Sequence, residues 1–385
     1  MLQIEKDVVG QPPHDYAGLI GIITHLNILA HPCRICSHKQ AGARNQPTSA
    51  DGGCHDPGRG GRGSGPATVR GMSAQGNSRP TVGMIGLGNL GNPMSLSALA
   101  AGYPMVVHSL SRDEAANLLA LGARWADSPS ELAAQCDVVI TVLPGPAQVR
   151  EIMIGSGGVL ESMKPGSTFI DMSTSSVEVA LEIKALAEPR GIGVMEAPVS
   201  FLAKAPIGES RTSASLQMFV GGTPEQFEQH RSLLAALGGL PDQIYFAGPN
   251  GAGYAIKVLL NLLWFVYETG TAEVLAMASQ LGLDLRMVQR ALCASPTQSN
   301  VLQYDVNTVL ERGDYDEGFT LDLVCKDIQL GVALGEATGV DVPVARLVEQ
   351  IHQRALEAYG PKSGEMSVIK LYEDAIGRPL RVDNA

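Results

Sequence analysis

Thr81-Val82-Gly83-Met84-Ile85-Gly86-Leu87-Gly88-Asn89-Leu90-Gly91-Asn92-Pro93-Met94 is the stretch on which the fold turns. Its first five residues are a short apolar run of the kind a strand buried on both faces requires. A glycine-rich turn follows, and residues 90–101 then read as a helix that Gly102 stops. Strand, glycine turn and helix in that order make the first unit of a doubly wound sheet. Gly86 permits the tight turn, Gly88 lets a phosphate approach the backbone, and Gly91 lets the helix lie close to the strand. Leu87, Asn89 and Leu90 complete the turn. Free N–H groups and the dipole at the helix start favour an anion. In this setting the turn points to the pyrophosphate of a dinucleotide; glycines alone would equally suit a turn with no ligand.

Outward from that turn the pattern stays regular. Strands are expected at residues 105–108, 138–143, 168–171, 194–197, 216–220 and 244–246, with helices at 112–121 and 177–188 among them. Alternation of this kind predicts an α/β domain of Rossmann type over 80–248. After Gly248 only helical periodicity remains: a long helix at 251–281, then helices at 285–294, 301–311, 321–338 and 343–358. The expected architecture is a doubly wound sheet joined through one long helix to an all-helical domain, 249–385, that binds substrate and dimerises. Residues 1–79 differ in kind. They carry a Gly58–Gly65 run reading GRGGRGSG and flanks rich in Gly, Ser, Pro, Asn and Gln, so a disordered extension is expected there. Met72 begins a stretch resembling the start of a compact dinucleotide-binding protein, which leaves the upstream part open as a targeting extension or a non-native start.

Charge and composition narrow the function. A net charge of -11 and an isoelectric point near 5.2 argue against a nucleic-acid partner, which needs a basic surface. No run of about 18 uncharged apolar residues predicts a membrane span, and the first residues lack a secretory signal pattern. A cytoplasmic location is expected, with organellar targeting by the extension left open. Cys33 and Cys36, with His38, Cys54 and His55 nearby, fit no standard zinc spacing, so no metal is expected.

The choice of cofactor rests on the end of the second strand, His108-Ser109-Leu110-Ser111-Arg112. NAD sites usually place a carboxylate there for the ribose hydroxyls. None falls at this strand end; Asp113 and Glu114 lie beyond it. Ser109, Ser111 and the arginine Arg112 suit a 2′-phosphate, which favours NADP and leaves NAD as the alternative.

Four motifs in order resemble the β-hydroxyacid dehydrogenases, the family of 3-hydroxyisobutyrate dehydrogenase and of the glyoxylate and succinic semialdehyde reductases. They are Gly86 to Met94, with Leu90 where the family usually has methionine; Glu196-Ala197-Pro198-Val199-Ser200; Gly251-Ala252-Gly253-Tyr254-Ala255-Ile256-Lys257 followed by Asn261; and Lys326-Asp327-Ile328-Gln329-Leu330. The resemblance spans about Pro80 to Gly377. It implies Lys257 as catalytic lysine, Asn261 and Ser200 as substrate ligands, Lys326 near the nicotinamide, and Leu143, Pro144, Gln148 and Thr174 as further cofactor contacts. It also implies a small carboxylate or carbonyl substrate and a homodimer. Physical chemistry agrees for Lys257 and Asn261: four residues apart, they share a helix face. Burial would lower the lysine's proton affinity. Taken singly, Lys257 also reads as a snorkelling lysine on an amphipathic helix.

The departures lie beside Ser200. Phe201 and Leu202 stand where the family has two glycines, and would narrow the pocket or block backbone approach to a carboxylate. Two readings of the following loop stay open: Arg211 or Lys204 takes over anion binding, or the loop is simply solvated. Two other readings stay open. An imine reductase shares the architecture but usually lacks the lysine, and a dinucleotide sensor would not need Lys257, Asn261 and Lys326 together.

Overall fold

The structure, a computed structural model, describes residues 79–201, 216–316 and 318–382, which fall within one unit, Ala74–Ala385. Arg211, Lys204, Leu202, the 1–78 part of the expected extension and its cysteines lie outside the described residues.

One sheet carries the strands β1 (Val82–Ile85), β2 (Met105–His108), β3 (Arg124–Trp125), β4 (Val138–Thr141), β5 (Thr168–Asp171), β6 (Gly193–Glu196), β7 (Val199–Phe201), β8 (Leu216–Gly221) and β9 (Gly239–Gly248). Their order is β3-β2-β1-β4-β5-β6-β8-β7, with β9 on the other edge of β8. From β3 to β6 all pairs are parallel; β8 runs antiparallel to β6 and β7, and β9 runs parallel to β8. The helices between strands are α1 (Gly91–Ala100), α2 (Ala116–Ala120), α3 (Pro129–Gln135), α4 (Pro146–Ile154), α5 (Val159–Ser162), α6 (Val177–Ala187) and α7 (Pro224–Ala236). Sequence periodicity did not single out β3, β7, α3, α4, α5 or α7. Several are short; α3, α4 and α7 each carry a Pro in the first turn, and α3 and α7 also carry side-chain caps, Ser128 and the Thr223–Gln226 capping box.

Both faces of the sheet are covered, which is why β1 is buried at every position. Met84, Met94, Val107, Ile140 and Met218 build the core on one side; Ile85, Val106, Val139, Phe169 and Ile183 build it on the other. Each such side chain contributes about 1.5–3 kcal/mol of burial energy.

Beyond the sheet the chain is helical: α8 (Ala252–Gln280), α9 (Leu285–Cys293), α10 (Val306–Arg312), α11 (Leu321–Thr338), α12 (Pro343–Tyr359) and α13 (Val368–Ile376). The last was not foreseen from sequence. Phe265 and Leu275 of α8 pack with Val324 and Ile328 of α11, Val348 and Ala355 of α12, and Val368 and Ile369 of α13. At 29 residues, α8 is long and apolar enough to cross a membrane, although no span was expected from sequence. It also buries Lys257, Asn261 and Glu268 against protein, which is the pattern of a central core helix.

The turn after β1 depends on its glycines in different ways. Gly86 sits at φ +95°, and a Cβ on Gly91 would stand 1.9 Å from the Gly86 carbonyl oxygen. A Cβ on Gly88 would meet nothing within 4 Å. Gly91→Ala is therefore expected to cost about 1–3 kcal/mol and lower Tm by several degrees. Gly88→Ala should leave the ligand-free Tm within about 2 °C. Thermal melts of the two variants check the contrast; equal losses would show that the turn is not packed as described.

Candidate active site

The sheet order reverses at β1, between β2 and β4, and the crevice beyond the carboxyl ends of such strands is where a doubly wound sheet receives its ligand. The glycine turn lines that crevice. It is tied to β2 by the Gly86 N–H donating to the His108 carbonyl at 3.0 Å and by the Leu87 N–H donating to Ser109 Oγ at 3.2 Å. Helix α1 has Leu90 at its N-cap, with no side-chain cap and no acidic residue in its first turn. Uncapped N–H groups at a positive dipole end, beside an open Gly88, fit a pyrophosphate. Asn89 reaches across to the helical part, its Nδ2 donating to the Gly318 carbonyl at 3.1 Å.

On the other side of β1, the Leu143 N–H donates to Ser173 Oγ at 2.9 Å, and Pro144 precedes the turn into α4. Gly145 is packed tightly: a Cβ there would stand 2.8 Å from Lys326 Cδ and 3.7 Å from Gln148 Oε1. Lys326, on α11, extends over this strand end and donates to the Thr174 carbonyl at 3.1 Å. Four of the residues named from sequence, Leu143, Gln148, Thr174 and Lys326, thus cluster around the ends of β4 and β5.

Helix α8 is anchored to the same edge by buried carboxylates. Glu196, the last residue of β6 and 1% exposed, accepts from the backbone N–H groups of Gly251 and Gly253, the latter at 3.2 Å. Asn250 donates to it at 3.4 Å and to the Val194 carbonyl at 2.8 Å. Burial pushes the Glu196 carboxyl up to about 7, although these donors pull it down. Next to it, Asp171 accepts from Thr141 Oγ1, Ser173 Oγ and the Tyr254 hydroxyl. Burial raises both the Asp171 carboxyl and the Tyr254 phenol. Glycine is required where α8 presses on the sheet: a Cβ on Gly253 would be 2.3 Å from the Phe219 carbonyl oxygen.

This anchor sets the positions of Lys257 and Asn261, one and two turns beyond Tyr254. Both side chains are buried, Lys257 at 8% exposure and Asn261 at 7%. Asn261 Nδ2 donates to Asp327 Oδ2 at 2.6 Å, and Lys326 Nζ stands 2.7 Å from Asp327 Oδ1. Burial lowers the Lys257 ammonium to about 8; Asp327 and Glu365 oppose this shift and Lys326 adds to it. At that value the group exchanges a proton readily near neutral pH.

Asp327 was quoted in the fourth motif but given no role from sequence. It orients Asn261, pairs with Lys326 and attracts Lys257. Glu196, Asp171 and Tyr254 were likewise unassigned, since their contacts cross many residues of sequence. Ser200 lies on β7, paired with Gln217. Phe201 follows in the same ladder opposite Leu216 and packs against the sheet's core. Phe201 is thus part of an ordered strand edge. Among the described residues, no group of three or more His, Cys, Asp or Glu is placed to hold a metal ion.

Comparison with known proteins bears on the family. Residues 81–248 match the NAD binding domain of 6-phosphogluconate dehydrogenase, and residues 251–372 match the NAD-binding domain of NADP-dependent 3-hydroxyisobutyrate dehydrogenase. The chain is 33% identical to the mitochondrial 3-hydroxyisobutyrate dehydrogenase of Bos taurus over 282 residues, 72% of this chain and 81% of that one. It is 31% identical to 2-(hydroxymethyl)glutarate dehydrogenase of Eubacterium barkeri, over 77% of this chain and 96% of that one. Among solved structures it is similar to Mycobacterium tuberculosis 3-hydroxyisobutyrate dehydrogenase with L-serine, at a TM-score of 0.67 and 29% identity, covering 76% of this chain and 99% of that one.

The Glu196 anchor carries a pH signature. Its proton affinity rises on folding, from an ordinary 4.5 to about 7. Its stabilising contribution is complete below pH 4.5 and is lost as pH rises through about 7. Glu196→Gln keeps a carbonyl acceptor for Gly251 and Gly253 and cannot ionise. Relative to this variant, the wild type is expected to lose up to about 3 kcal/mol between roughly pH 5 and pH 8. Denaturant unfolding of both proteins across that range tests it, and parallel profiles would count against the anchor.

Proposed function

The chain belongs to the β-hydroxyacid dehydrogenase family, and on that premise we propose that it transfers hydride between a nicotinamide dinucleotide and a small 3-hydroxy acid or its semialdehyde, with Lys257 as general acid and base. The observation that carries the reading is Lys257 itself: buried, lowered to about 8, and held within one turn of Asn261 by an anchored helix. When bound, the nicotinamide supplies the hydride acceptor for oxidation or the donor for reduction. In oxidation, neutral Lys257 Nζ takes the substrate hydroxyl proton. In reduction, the Lys257 ammonium returns it to the nascent alkoxide. Asn261, its amide fixed by Asp327, positions the substrate oxygen. Ser200 is proposed to bind the carboxylate, with Arg211 as a further anion ligand. Lys326, fixed by its bond to the Thr174 carbonyl, would help hold the nicotinamide end of the cofactor. A sensor would gain nothing from burying an ionisable lysine at this cost, which favours catalysis.

The helical part supports a homodimer. Leu259, Leu263, Tyr267, Val274 and Met277 leave an apolar stripe exposed along α8, and a second copy of the chain is the proposed cover.

Three measurements test the reading. Lys257→Ala should lower turnover by about 10²–10⁴-fold while dinucleotide affinity stays within about threefold. Unchanged turnover would remove Lys257 from the mechanism. For oxidation, kcat/KM should rise with pH and level off above about 8, the value of the lysine. For reduction it should fall above the same value, and Lys257→Ala should lack both limbs. A spectrophotometric screen of small 3-hydroxy acids and aldehydes with either cofactor would identify the substrate.

A further inference from the structure

We propose that Glu114 is a specificity-determining residue that takes the place of the missing strand-end carboxylate and selects NAD over NADP. The proposal rests on the reading of the glycine turn as a dinucleotide site.

Three contacts carry it. Ser109, the first residue after β2, accepts the Leu87 N–H of the glycine turn at 3.2 Å. The same Ser109 hydroxyl donates to Glu114 Oε2. The Glu114 backbone is in turn clamped to the first turn of α1, because Asn92 Nδ2 donates to its carbonyl at 2.7 Å. A second bond, between Asn92 and Asn117, holds the clamp in place at 3.0 Å. Glu114 is an exposed residue, yet its carboxylate is linked through Ser109 to the phosphate-binding turn. Between a pyrophosphate on that turn and the adenine beyond it lies the adenosine ribose. A carboxylate there accepts hydrogen bonds from the ribose 2′- and 3′-hydroxyls, and repels a 2′-phosphate carrying close to two negative charges.

Each of the three residues that suggested a phosphate cradle has another contact. Ser111 accepts the Asp113 N–H at 3.2 Å as the cap of a short 3-10 turn. Ser109 is occupied as described. The Arg112 guanidinium lies over the Trp125 ring, 6.0 Å from its centroid. Trp125 belongs to β3, on the outer side of β2, whereas Leu87 follows β1 on the inner side. The local cation therefore stands on the side of β2 away from the turn, and the local anion on the side towards it. The motif of an acidic residue directly at the strand end is absent from the sequence because the carboxylate arrives from the following helix, relayed through a serine.

Isothermal titration of NAD⁺ and NADP⁺ against the full chain, Glu114→Gln and Ser109→Ala tests this. The wild type is expected to bind NAD⁺ at least about tenfold more tightly than NADP⁺, a difference of about 1.4 kcal/mol. Glu114→Gln should shrink that ratio about tenfold or reverse it, and Ser109→Ala should shrink it less, with both variants melting like wild type. A wild-type preference for NADP⁺, or a ratio unchanged within about twofold in Glu114→Gln, overturns the role of Glu114 while leaving the dinucleotide site intact. Failure of both cofactors to bind would overturn the dinucleotide reading and this inference with it.

Discussion

The first turn of α8 must be seated on the carboxyl edge of the sheet, and the placement of Lys257 and Asn261 depends on that seating. Glu196 accepts two backbone N–H groups that the helix cannot satisfy by itself, and Asp171 holds Tyr254 one turn later. A helix advances about 1.5 Å per residue, so a slip of one turn would carry Lys257 more than 5 Å along the axis. Three devices oppose such a slip: buried carboxylates that would be left without donors, a Gly253 with no room for a Cβ, and Asn250 tied to the Val194 carbonyl. Buried carboxylates are costly, and their place here follows from the orphan donors they satisfy.

The same economy of charge governs Lys257. Burial alone would drive its ammonium towards neutrality, and an unopposed anion would restore it. Asp327 lies between these limits because it is shared. It contacts Lys326 and Asn261 directly and acts on Lys257 only through space. With its charge partly answered by Lys326, it supports the Lys257 ammonium without fixing it. A value of about 8 results, close enough to neutrality for both directions of proton transfer. Lys326 also bridges α11 to the Thr174 carbonyl, so the group that moderates Asp327 is itself anchored to the sheet beyond the end of β5.

Much of this was legible in sequence. The fully buried pattern of β1, the glycine spacing and the helical character after Gly248 follow from local chemistry, because strands covered on both faces are continuously apolar and tight turns need glycine. Lys257, Asn261 and Lys326 were found as motif residues, and the structure brings them together around Asp327. Other features were not legible because they depend on contacts between distant segments. Glu196 is 55 residues from Gly251, and Asp171 is 83 from Tyr254. Nothing local marks either as a partner of α8. The two-residue β3 exists only because β2 offers it an edge, and α13 because α8 offers it an apolar face. Glu114 was seen but set aside as a helix residue, since only the fold shows that Ser109 connects it to the turn.

The substrate side follows a related logic. Where the family pattern has glycines after Ser200, this chain places Phe201, and the consequence is structural before it is chemical. Phe201 pairs with Leu216 and packs on the core. Successive residues of a strand face opposite sides, so Val199 and Phe201 share one face and Ser200 presents its hydroxyl on the other. A glycine pair would leave backbone N–H groups free to turn towards a carboxylate. A strand residue bound into a ladder surrenders that freedom in exchange for a fixed direction. If an anionic substrate meets this edge, as proposed, the donors it finds are side chains rather than free backbone N–H groups, and Ser200 is the one whose orientation the ladder sets.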